Sequence, residues 1–544
     1  MTNYEIVIAI IAVFYLIFAI DDVFFDVVYW LGRMFNWWKR PVVTTKELKD
    51  VSECRIAIIT PAWKEQDVIA RMLMYNLPRI DYQRYDYWIG TYKNDPDTRR
   101  EVEKVCSVYP HVRQAVTEND GPTSKADCMN AVLTAIAEHE ARAGIRYDLI
   151  VFHDVEDLIH PQELPLLNWY FRGEGADFVQ LPVLSTPPDW YAFVAGTYID
   201  EFAEQYTKNM FVREKMWGFV PSAGVATCVR RSVIDQLMDE RNGVPFAVNS
   251  LTEDYDLGLG LAVQGRPTRY LHQYVKSSEE PSAPEELVAT WAPFPQTFTT
   301  AVRQRTRWMA GIVFQGWEHW GWPAGLRWIL AHDRRGPLGN LVVLAGYVLV
   351  VYFAGYQWTK TFIRPEMEDL VQSPGFQWLF GLGFLFMLNR LLQRALATGR
   401  LYGFWQAMLA IFRTPFSNIV NIVATMRATF QYIRSRRTGI PMSWDKTEHS
   451  LPPQVSAQMR LGERLIEERK LTTQQLVLAL RHDIDRGQTV TLDDLQVVGI
   501  STDDVVSVLP DNQAGAVVGR VARTDLAAGT LVTPTQFSDG SLLV

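Results

Sequence analysis

Apolar stretches of membrane length frame a long mixed segment of this chain and restrict the folds that it can adopt. They are residues 6–20, about 339–358 and about 376–396. Because a helix needs about 20 mostly apolar residues to cross a bilayer, these stretches predict three membrane spans. The first has no basic leader and no small-residue cleavage site, so we expect a signal anchor over residues 1–40 rather than a cleaved signal peptide.

Charged residues follow or interrupt the apolar stretches. Asp21 and Asp22 follow the first stretch directly. Since a carboxylate in hydrocarbon is costly, we expect both to face protein or water. A further apolar segment, 401–433, is interrupted by Arg413, Pro415 and Arg427. We interpret it as an interfacial or re-entrant element of a membrane region at 336–440 rather than a clean span.

Basic residues border one side of the predicted spans. They are Lys39, Arg40, Arg334, Arg335, Arg390, Arg394 and Arg400. The loop at 359–375 is acidic by comparison. By the positive-inside rule, the N-terminus lies outside, and residues 41–335 and the C-terminal tail lie in the cytoplasm.

Charge and cysteine content narrow the class of protein further. The formal net charge is −8, which leaves no basic footprint for nucleic acid, so we expect no nucleic-acid partner. The four cysteines all lie in the mixed segment and lack metal-ligand spacing. Buried, reduced thiols of a cytosolic domain explain them more simply than a disulfide framework does.

Three buried-strand patterns in the mixed segment each end in acidic residues. The strands lie at 55–60, 87–92 and 148–153, and the residues after them include Glu65, Asp95 and the run Asp154-Val155-Glu156-Asp157. Open parallel sheets bind ligands at the carboxyl ends of their strands. The pattern therefore predicts a Rossmann-like α/β domain at 41–335 with a ligand site at these ends.

Two short motifs lie about fifty residues apart, ahead of the second apolar stretch. The first is Thr252-Glu253-Asp254, and the second is Gln304-Arg305-Thr306-Arg307-Trp308. Each motif alone is a weak signal, but together they resemble the processive family-2 glycosyltransferases, such as cellulose and hyaluronan synthases. The resemblance implies the GT-A fold, with Asp254 as catalytic base beside Glu253 and Thr252. It also implies that Gln304, Arg307 and Trp308 face the acceptor sugar and the departing diphosphate.

The same resemblance implies how a nucleotide-sugar donor is held. Asp154 and Glu156 match the metal-binding DxD motif with Glu in the second slot, so the expected cofactor is Mg²⁺ or Mn²⁺. Whether Glu156 or Asp157 completes that metal site stays open. The other donor-binding positions are Pro61, Glu65 and Asp95, of which the last two match the uracil and ribose positions, and Lys125 near the diphosphate.

Longer strings narrow the resemblance to one branch. They lie at 21–30, 90–98, 121–128, 250–256 and 300–308, continue to 443–449, and resemble the bacteriophage adsorption protein B family. Members are glycosyltransferases of the bacterial inner membrane, implicated in making an exported surface polysaccharide with an outer-membrane companion. The resemblance implies an inverting, metal-dependent transferase that uses a UDP-linked sugar, with UDP-N-acetylmannosamine as a candidate donor.

The last segment, 459–544, follows a proline-containing linker at 441–458. Residues 460–476 resemble the first helical element of that family's cyclic-di-GMP-binding module, but no second copy follows, so we do not expect direct control by cyclic-di-GMP. Two apparent repeats, with glycine turns at Gly487 and Gly529, resemble the SAF fold, a small β-clip module. We expect a mostly β domain that binds a sugar, glycan or partner, with a structural cap as the alternative.

Three functions remain open from the sequence. The leading one is a synthase that extends a growing polysaccharide and feeds it into the membrane. The alternatives are transfer of one sugar to polyprenyl phosphate, by enzymes that usually lack the second motif, and a non-catalytic scaffold for phage adsorption or secretion. Three spans are few for a sugar-wide channel, so we expect interfacial helices or a second protomer to complete the path.

Overall fold

The computed structural model describes residues 3–38, 42–173, 176–278, 280, 283–366, 374–440 and 442, and, in the C-terminal part, 474–485, 488–491, 494–501, 521–522, 526 and 537–538. The chain forms two compact units. The larger comprises Met1–Met72 and Ile80–Leu451, and the smaller comprises Leu73–Arg79 and Pro452–Val544.

Helices dominate the larger unit. They are α1 (Asn3–Met34), α2 (Thr45–Lys49), α3 (Ile69–Asn76), α4 (Pro96–Val108), α5 (Lys125–Ala143), α6 (Glu163–Gly173), α7 (Phe193–Glu204), α8 (Met210–Trp217), α9 (Arg231–Glu240), α10 (Glu253–Val263), α11 (Phe298–Met309), α12 (Gly316–Trp320), α13 (Arg327–Arg334), α14 (Gly336–Phe362), α15 (Pro374–Tyr402) and α16 (Phe404–Thr438). Two π-helical turns, π1 (Gln205–Asn209) and π2 (Ala310–Gln315), follow α7 and α11 directly.

The strands are short and are spread over both units. They are β1 (Val43–Thr44), β2 (Ile56–Pro61), β3 (Tyr85–Tyr92), β4 (Val112–Thr117), β5 (Leu149–Phe152), β6 (Phe178–Gln180), β7 (Val183–Ser185), β8 (Thr227–Arg230), β9 (Thr268–Tyr270), β10 (Tyr274–Lys276), β11 (Glu285–Leu287), β12 (Thr290–Ala292), β13 (Gln474–Leu480), β14 (Leu495–Ser501), β15 (Val521–Ala522) and β16 (Phe537–Ser538).

A seven-stranded sheet lies at the centre of the larger unit, in the order β4-β3-β2-β5-β8-β6-β9. The strands β2 to β5 are parallel, and β8 runs antiparallel to its neighbours β5 and β6. Ile56, Ile58 and Ile59 of β2 are fully excluded from solvent, as expected of a central strand whose side chains are buried on both faces of the sheet. The predicted strands at 55–60, 87–92 and 148–153 are confirmed as β2, β3 and β5, so the acidic residues that follow them meet at one edge.

Four helices of the described residues are long and apolar enough to cross a membrane: Tyr4–Met34, Gly336–Phe362, Trp378–Tyr402 and Phe404–Thr438. The re-entrant alternative for 401–433 is wrong, because α16 continues through Pro415 as a single helix. Its arginine at 413 is accommodated by a buried pair with Asp200 of α7, at 2.8 and 2.7 Å. Gly196 makes room for that guanidinium, since a Cβ there would lie 2.5 Å from the Arg413 Cδ.

Helix α16 packs against α7, α11 and α12 of the larger unit. Arg413 contacts α7 near its start, and Tyr432 and Arg436 near its end contact Glu318 of α12 at 2.5 and 3.2 Å. A third of its most apolar window is buried, against 6 to 11% in the other three apolar helices. Its interfacial position stays a prediction, which these contacts favour.

The acidic residues of α1 face protein, which confirms the expectation for Asp21 and Asp22. Asp21 accepts hydrogen bonds from Trp328, His332 and Arg335 at 2.8, 2.6 and 2.6 Å. Asp22 pairs with Arg335 and with Arg390 of α15.

The smaller unit contains antiparallel strand pairs. β13 and β14 pair from Gln474–Ser501 to Leu480–Leu495, and β15 pairs with β16. Most of the linker predicted at 441–458, most of the helical element at 460–476, and Gly487 and Gly529 lie outside the described residues. The last three residues of that predicted element belong to strand β13 instead.

Candidate active site

A cavity of about 400 Å³ opens beside the carboxyl ends of β2 and β5. Eleven of the twelve residues predicted for the site line it: Pro61, Glu65, Lys125, Asp154, Glu156, Thr252, Glu253, Asp254, Gln304, Arg307 and Trp308. Residues from five separate parts of the sequence therefore meet in one place.

Asp95 is the exception among the predicted residues. It is the N-cap of α4, where its Oδ1 accepts the Thr98 N–H at 3.4 Å. Its Oδ2 accepts the Lys64 N–H at 2.6 Å, and Asp95 is not among the residues that line the cavity. The contacts give it a structural role, because a capping carboxylate satisfies the exposed N–H groups of the first helical turn. A contact between Asp95 and uracil stays a prediction.

The loop after β5 is held by a buried network of charged groups. His153 bonds through Nδ1 to Asp157 Oδ2 at 2.9 Å and through Nε2 to Glu163 Oε1 at 2.8 Å. Burial alone would lower the pKa of His153, but the two carboxylates outweigh it and raise that pKa to about 10. Asp157 Oδ2 also accepts the backbone N–H of Asp154 at 2.9 Å. Asp157 therefore fixes the loop that carries Asp154.

Lys125 is a half-buried cation between the acidic loop and the first motif. It is the first residue of α5, whose N-terminus is capped by Ser124. Its Nζ lies 2.5 Å from Asp154 Oδ1 and 3.4 Å from the carbonyl oxygen of Gly224. Burial would lower the pKa of Lys125, but the negative charges around it, led by Asp154, raise it. The ammonium group is thus a fixed positive charge in the cavity wall.

Asp254 lies in the first turn of α10, with Thr252 at the N-cap. Its Oδ1 accepts the Tyr255 N–H at 2.7 Å. Gly224 has φ +76°, and a Cβ on it would lie 2.5 Å from Asp254 Oδ2, so only glycine lets the chain pass so close. Burial raises the pKa of Asp254, against the opposing effect of Lys125. A carboxylate with a raised pKa accepts a proton more readily, as a general base must.

Thr252 and Glu253 lie buried next to Asp254. Burial and the neighbouring Asp254 raise the pKa of Glu253 to about 7. The Thr252 Oγ1 has no hydrogen-bond partner within the described part of the chain. Gly311 of π2 packs on this side chain so closely that a Cβ there would lie 2.3 Å from Oγ1. The π2 turn, which follows the second motif, therefore packs directly against Thr252 of the first motif.

Helix α11 carries the second motif. Arg305 is buried and bonds to Glu201, Thr197 and Asn421 at 2.9, 2.9 and 2.7 Å, which fastens α11 to α7 and α16. Arg307, two residues on, lines the cavity instead.

The aromatic side of the cavity is formed around Trp308. Its ring lies 6.2 Å from Phe202 at an interplanar angle of 30°, and 6.2 Å from Tyr198. Gln304, one turn earlier on the helix, has a buried Oε1 that bonds to no described protein atom. This side therefore offers an aromatic face and a hydrogen-bond acceptor to a ligand.

Three further wall residues were not indicated by any motif. Asp333 accepts a two-pronged pair from Arg213 at 2.6 and 2.8 Å and the Tyr255 hydroxyl at 2.7 Å. All three residues line the cavity. Tyr255 directly follows Asp254, and Asp333 lies beside the two arginines used for topology, but neither spacing predicts the contact.

The carboxylates of the cavity fit a divalent cation that is shared with a substrate. Asp154 and Glu156 supply hard oxygen atoms, which Mg²⁺ and Mn²⁺ prefer. The described residues contain no group of three or more His, Cys, Asp or Glu side chains arranged as a metal cage. Mg²⁺ commonly binds one or two carboxylates together with substrate phosphates, so two protein carboxylates suffice.

The sheet, the cavity at its strand ends and the two motifs define the catalytic domain of a glycosyltransferase. Residues 54–311 match glycosyltransferase-like family 2, and residues 477–538 match the SAF domain. The predicted fold class and both of these resemblances are confirmed.

The chain as a whole is similar to bacteriophage adsorption protein B. It is 37% identical over 505 residues to that protein of Escherichia coli strain K12, and equally to bacteriophage N4 adsorption protein B of Escherichia coli O157:H7. The match covers 87% of this chain and 66% of each relative, so the chain spans just under two thirds of their length.

Two solved glycosyltransferase structures are similar to this chain at low identity. A mannosyltransferase from Pyrobaculum calidifontis in complex with GDP-Man and Mn²⁺ is 15% identical with a TM-score of 0.42, over 75% of this chain and 98% of that one. A glucosyl-3-phosphoglycerate synthase from Mycobacterium tuberculosis in complex with Mn²⁺, UDP-glucose and phosphoglyceric acid is 18% identical with a TM-score of 0.26, over 42% and 70%. These values are too low for either donor or metal to be transferred to this chain.

Proposed function

We propose that the chain is an inverting glycosyltransferase of the bacterial inner membrane, which adds sugars from a nucleotide-sugar to a growing surface polysaccharide. The observation that carries the proposal is one line of contacts through the cavity. It runs from Asp154 to the Lys125 ammonium, from there to the Gly224 carbonyl, and from Gly224 to Asp254. A site for a charged diphosphate and a carboxylate base are therefore adjacent.

In the proposed reaction, Asp254 removes the proton of an acceptor hydroxyl. The hydroxyl oxygen forms a bond to the anomeric carbon of the donor, and the bond from that carbon to the diphosphate oxygen breaks on the opposite face. The raised pKa of Asp254 favours this proton transfer. Lys125 and Arg307 stabilise the negative charge on the nucleoside diphosphate as it departs.

Asp154 and Glu156 would hold a divalent cation, Mg²⁺ or Mn²⁺, which neutralises the diphosphate charge when it is bound. The bonds of Asp157 to His153 and to the Asp154 backbone favour Glu156 as the second ligand. The nucleotide itself is proposed to contact Pro61 and Glu65, which line the same cavity. A UDP-linked sugar, with UDP-N-acetylmannosamine as the candidate, is the donor that the similarity to phage adsorption protein B supports.

The acceptor is proposed to be a carbohydrate that binds beside the second motif. Thr252 Oγ1 and Gln304 Oε1 are buried polar atoms that bond to no described protein atom, and both residues line the cavity. Since a buried polar atom is costly without a partner, sugar hydroxyl groups are suited to both positions. Trp308 supplies an aromatic face for a sugar ring. This set of groups favours a glycan acceptor over polyprenyl phosphate.

We propose that the membrane boundary lies at the ion pairs around Asp21 and Asp22. Arg335 and Arg390, which pair with them, precede α14 and interrupt α15. Such charges belong at the cytoplasmic side of the bilayer. With α16 in the interface, the catalytic domain and the C-terminal unit are both cytoplasmic.

None of the described residues that line the cavity belongs to α1, α14, α15 or α16. A route for an exported chain is therefore proposed to need a second protomer or another partner. An outer-membrane companion would continue the route.

The test uses membranes that contain the full-length chain and a panel of UDP- and GDP-linked sugars with Mg²⁺, Mn²⁺ or EDTA. A general base contributes about 10²–10⁴-fold, so Asp254→Asn should lower transfer by at least 100-fold. Asp97→Asn is the matched control, because Asp97 also lies in the first turn of a helix but is exposed. It should transfer at the wild-type rate.

Undiminished polymer from Asp254→Asn would remove the base assignment. A product that carries one sugar on an organic-soluble lipid would support the polyprenyl-phosphate alternative. Wild-type membranes without product from any donor would contradict the synthase proposal.

A further inference from the structure

The carboxylates of α1 bind two elements that form walls of the catalytic cavity. Asp26 pairs with Lys208 of π1, and Asn389 of α15 donates to the same carboxylate at 2.7 Å. Lys208 also pairs with Glu204 at 2.8 Å. All these side chains except Asn389 are buried, so this ion-pair group is cut off from solvent.

A second set of contacts joins α1 to α13. Asp21 accepts hydrogen bonds from Trp328 and His332, which lie one turn apart, and from Arg335 just after the helix. The His332 ring is also stacked on Phe25 of α1 at 4.3 Å. Helix α13 is therefore held against α1 by both charge and packing.

The opposite sides of both elements face the cavity. Gln205 and Tyr206 of π1 line it, in the same turn as Lys208. Asp333 of α13, next to His332, lines it and holds Tyr255 and Arg213. Each element thus contacts α1 on one side and forms a cavity wall on the other.

These walls belong to the proposed acceptor side of the cavity. Phe202 at the end of α7 is stacked on Trp308 of the second motif, and π1 continues α7 without a break. The proposed donor ligands lie instead at the strand ends, on the loop after β5 and at the start of α5. Through π1 the contacts of α1 reach the acceptor side, and through α13 they reach Asp333 and Tyr255, next to the proposed base. None of the described contacts of α1 is with a proposed donor ligand.

We propose that Asp21 and Asp26 are positioning residues, through which α1 holds the acceptor wall of the cavity in the geometry required for sugar transfer. The inference rests on the proposed function and makes α1 a part of the active-site framework in addition to an anchor. Among the described ion pairs, neutralising Asp26 leaves Lys208 with Glu204 alone, and neutralising Asp21 leaves Arg335 with Asp22 alone. Because the loss of one partner from a buried ion-pair group is destabilising, we expect α1 to lose part of its hold on the wall.

The test compares sugar transfer with hydrolysis of the donor in the full-length protein in lipid nanodiscs. Hydrolysis uses water in place of the acceptor, so it needs the donor site and Asp254 but not the acceptor wall. We expect Asp26→Asn and Asp21→Asn to lower the ratio of transfer to hydrolysis about tenfold, with the KM for the donor unchanged. Asp26→Glu, which keeps the ion pair with Lys208, should restore the ratio.

Tyr15→Phe is the control, because the Tyr15 hydroxyl donates to the Gly383 carbonyl of α15 at 3.5 Å, and no hydrogen bond of Tyr15 within the described residues reaches π1 or α13. Its ratio should equal that of the wild type. Equal loss of transfer and hydrolysis in the Asp26 and Asp21 variants, in proportion to the loss of folded protein, would overturn the proposal. Asp254→Asn separates the two hypotheses, since retention of both activities in that variant would contradict the proposed base instead.

Discussion

The buried pair of Arg413 and Asp200 gives the sharpest stability prediction. Both side chains are 1% exposed, and two hydrogen bonds of 2.8 and 2.7 Å join them. Arg413→Met leaves the Asp200 carboxylate buried with the Thr398 hydroxyl as its remaining described donor, at 3.1 Å. Removing one partner of a buried pair costs about 3–5 kcal/mol. Arg436→Met on the same helix should cost less than about 1 kcal/mol, because the Arg436 side chain is 66% exposed.

The assay is the half-life of thermal inactivation in detergent, since unfolding of a multi-part membrane protein is not a two-state equilibrium. If the pair breaks in the rate-limiting step, about 3 kcal/mol shortens the half-life by roughly 100-fold or more. The double variant Asp200→Leu/Arg413→Met removes both charges together. Its loss of stability should be smaller than the sum of the two single losses by at least about 2 kcal/mol, because neither charge is then left unpaired.

Two outcomes would refute this reasoning. Additive single effects would show that the two residues do not stabilise each other. An Arg413→Met variant that inactivates no faster than Arg436→Met would show that α16 does not depend on its contact with α7.

Two further predictions concern the base motif. Gly224→Ala introduces a Cβ 2.5 Å from Asp254 Oδ2 at a φ of +76°, and this φ costs about 1–2 kcal/mol of backbone strain for alanine. Initial rates should show a lower kcat with donor affinity intact. An unchanged kcat would contradict the close approach of Gly224 to Asp254. The Glu253 pKa rises from 4.5 to about 7 in the folded chain, so the folded state holds a proton that the unfolded state has lost and stability falls as the pH rises from 4.5 to 7. Glu253→Gln should remove that loss of up to about 3 kcal/mol, so the variant should be more stable than the wild type at pH 8 but not at pH 4. Half-lives of thermal inactivation at the two pH values test this. The same difference between variant and wild type at both pH values would contradict it.

The sequence predicts those parts of the site that local pattern and motif define. Buried runs of β-branched residues mark β2 and β5, and the acids after them meet because parallel strands end at one edge. Asp254 and Trp308 were found through their motifs. Their placement in a single cavity agrees with the predicted ligand site.

The remaining features depend on contacts between residues far apart in the sequence. Pro415 and Arg413 predict an interrupted segment, because nothing near them indicates that Asp200, more than two hundred residues earlier, neutralises the arginine. The sequence does not predict that the Asp95 carboxylate accepts the backbone N–H groups of Thr98 and Lys64; its contact with the nucleotide stays a prediction. Asp333 has no motif at all. In each case the partner, and not the residue type, decides the role.

The charge layer near Asp22 and Asp26 also limits the thickness of the hydrocarbon around α15. Asn389 and Arg390 bind those carboxylates, so the part of α15 that precedes these charged contacts ends at Leu388. Fifteen residues from Pro374 to Leu388 span about 22 Å at 1.5 Å each, against a hydrocarbon core of about 30 Å. Helix α14, with 27 residues, reaches about 40 Å and must tilt in the same bilayer. Under the proposed membrane placement, thinning of the membrane beside α15 relieves this mismatch, and a thinner apolar slab would lower the barrier to the proposed sugar chain.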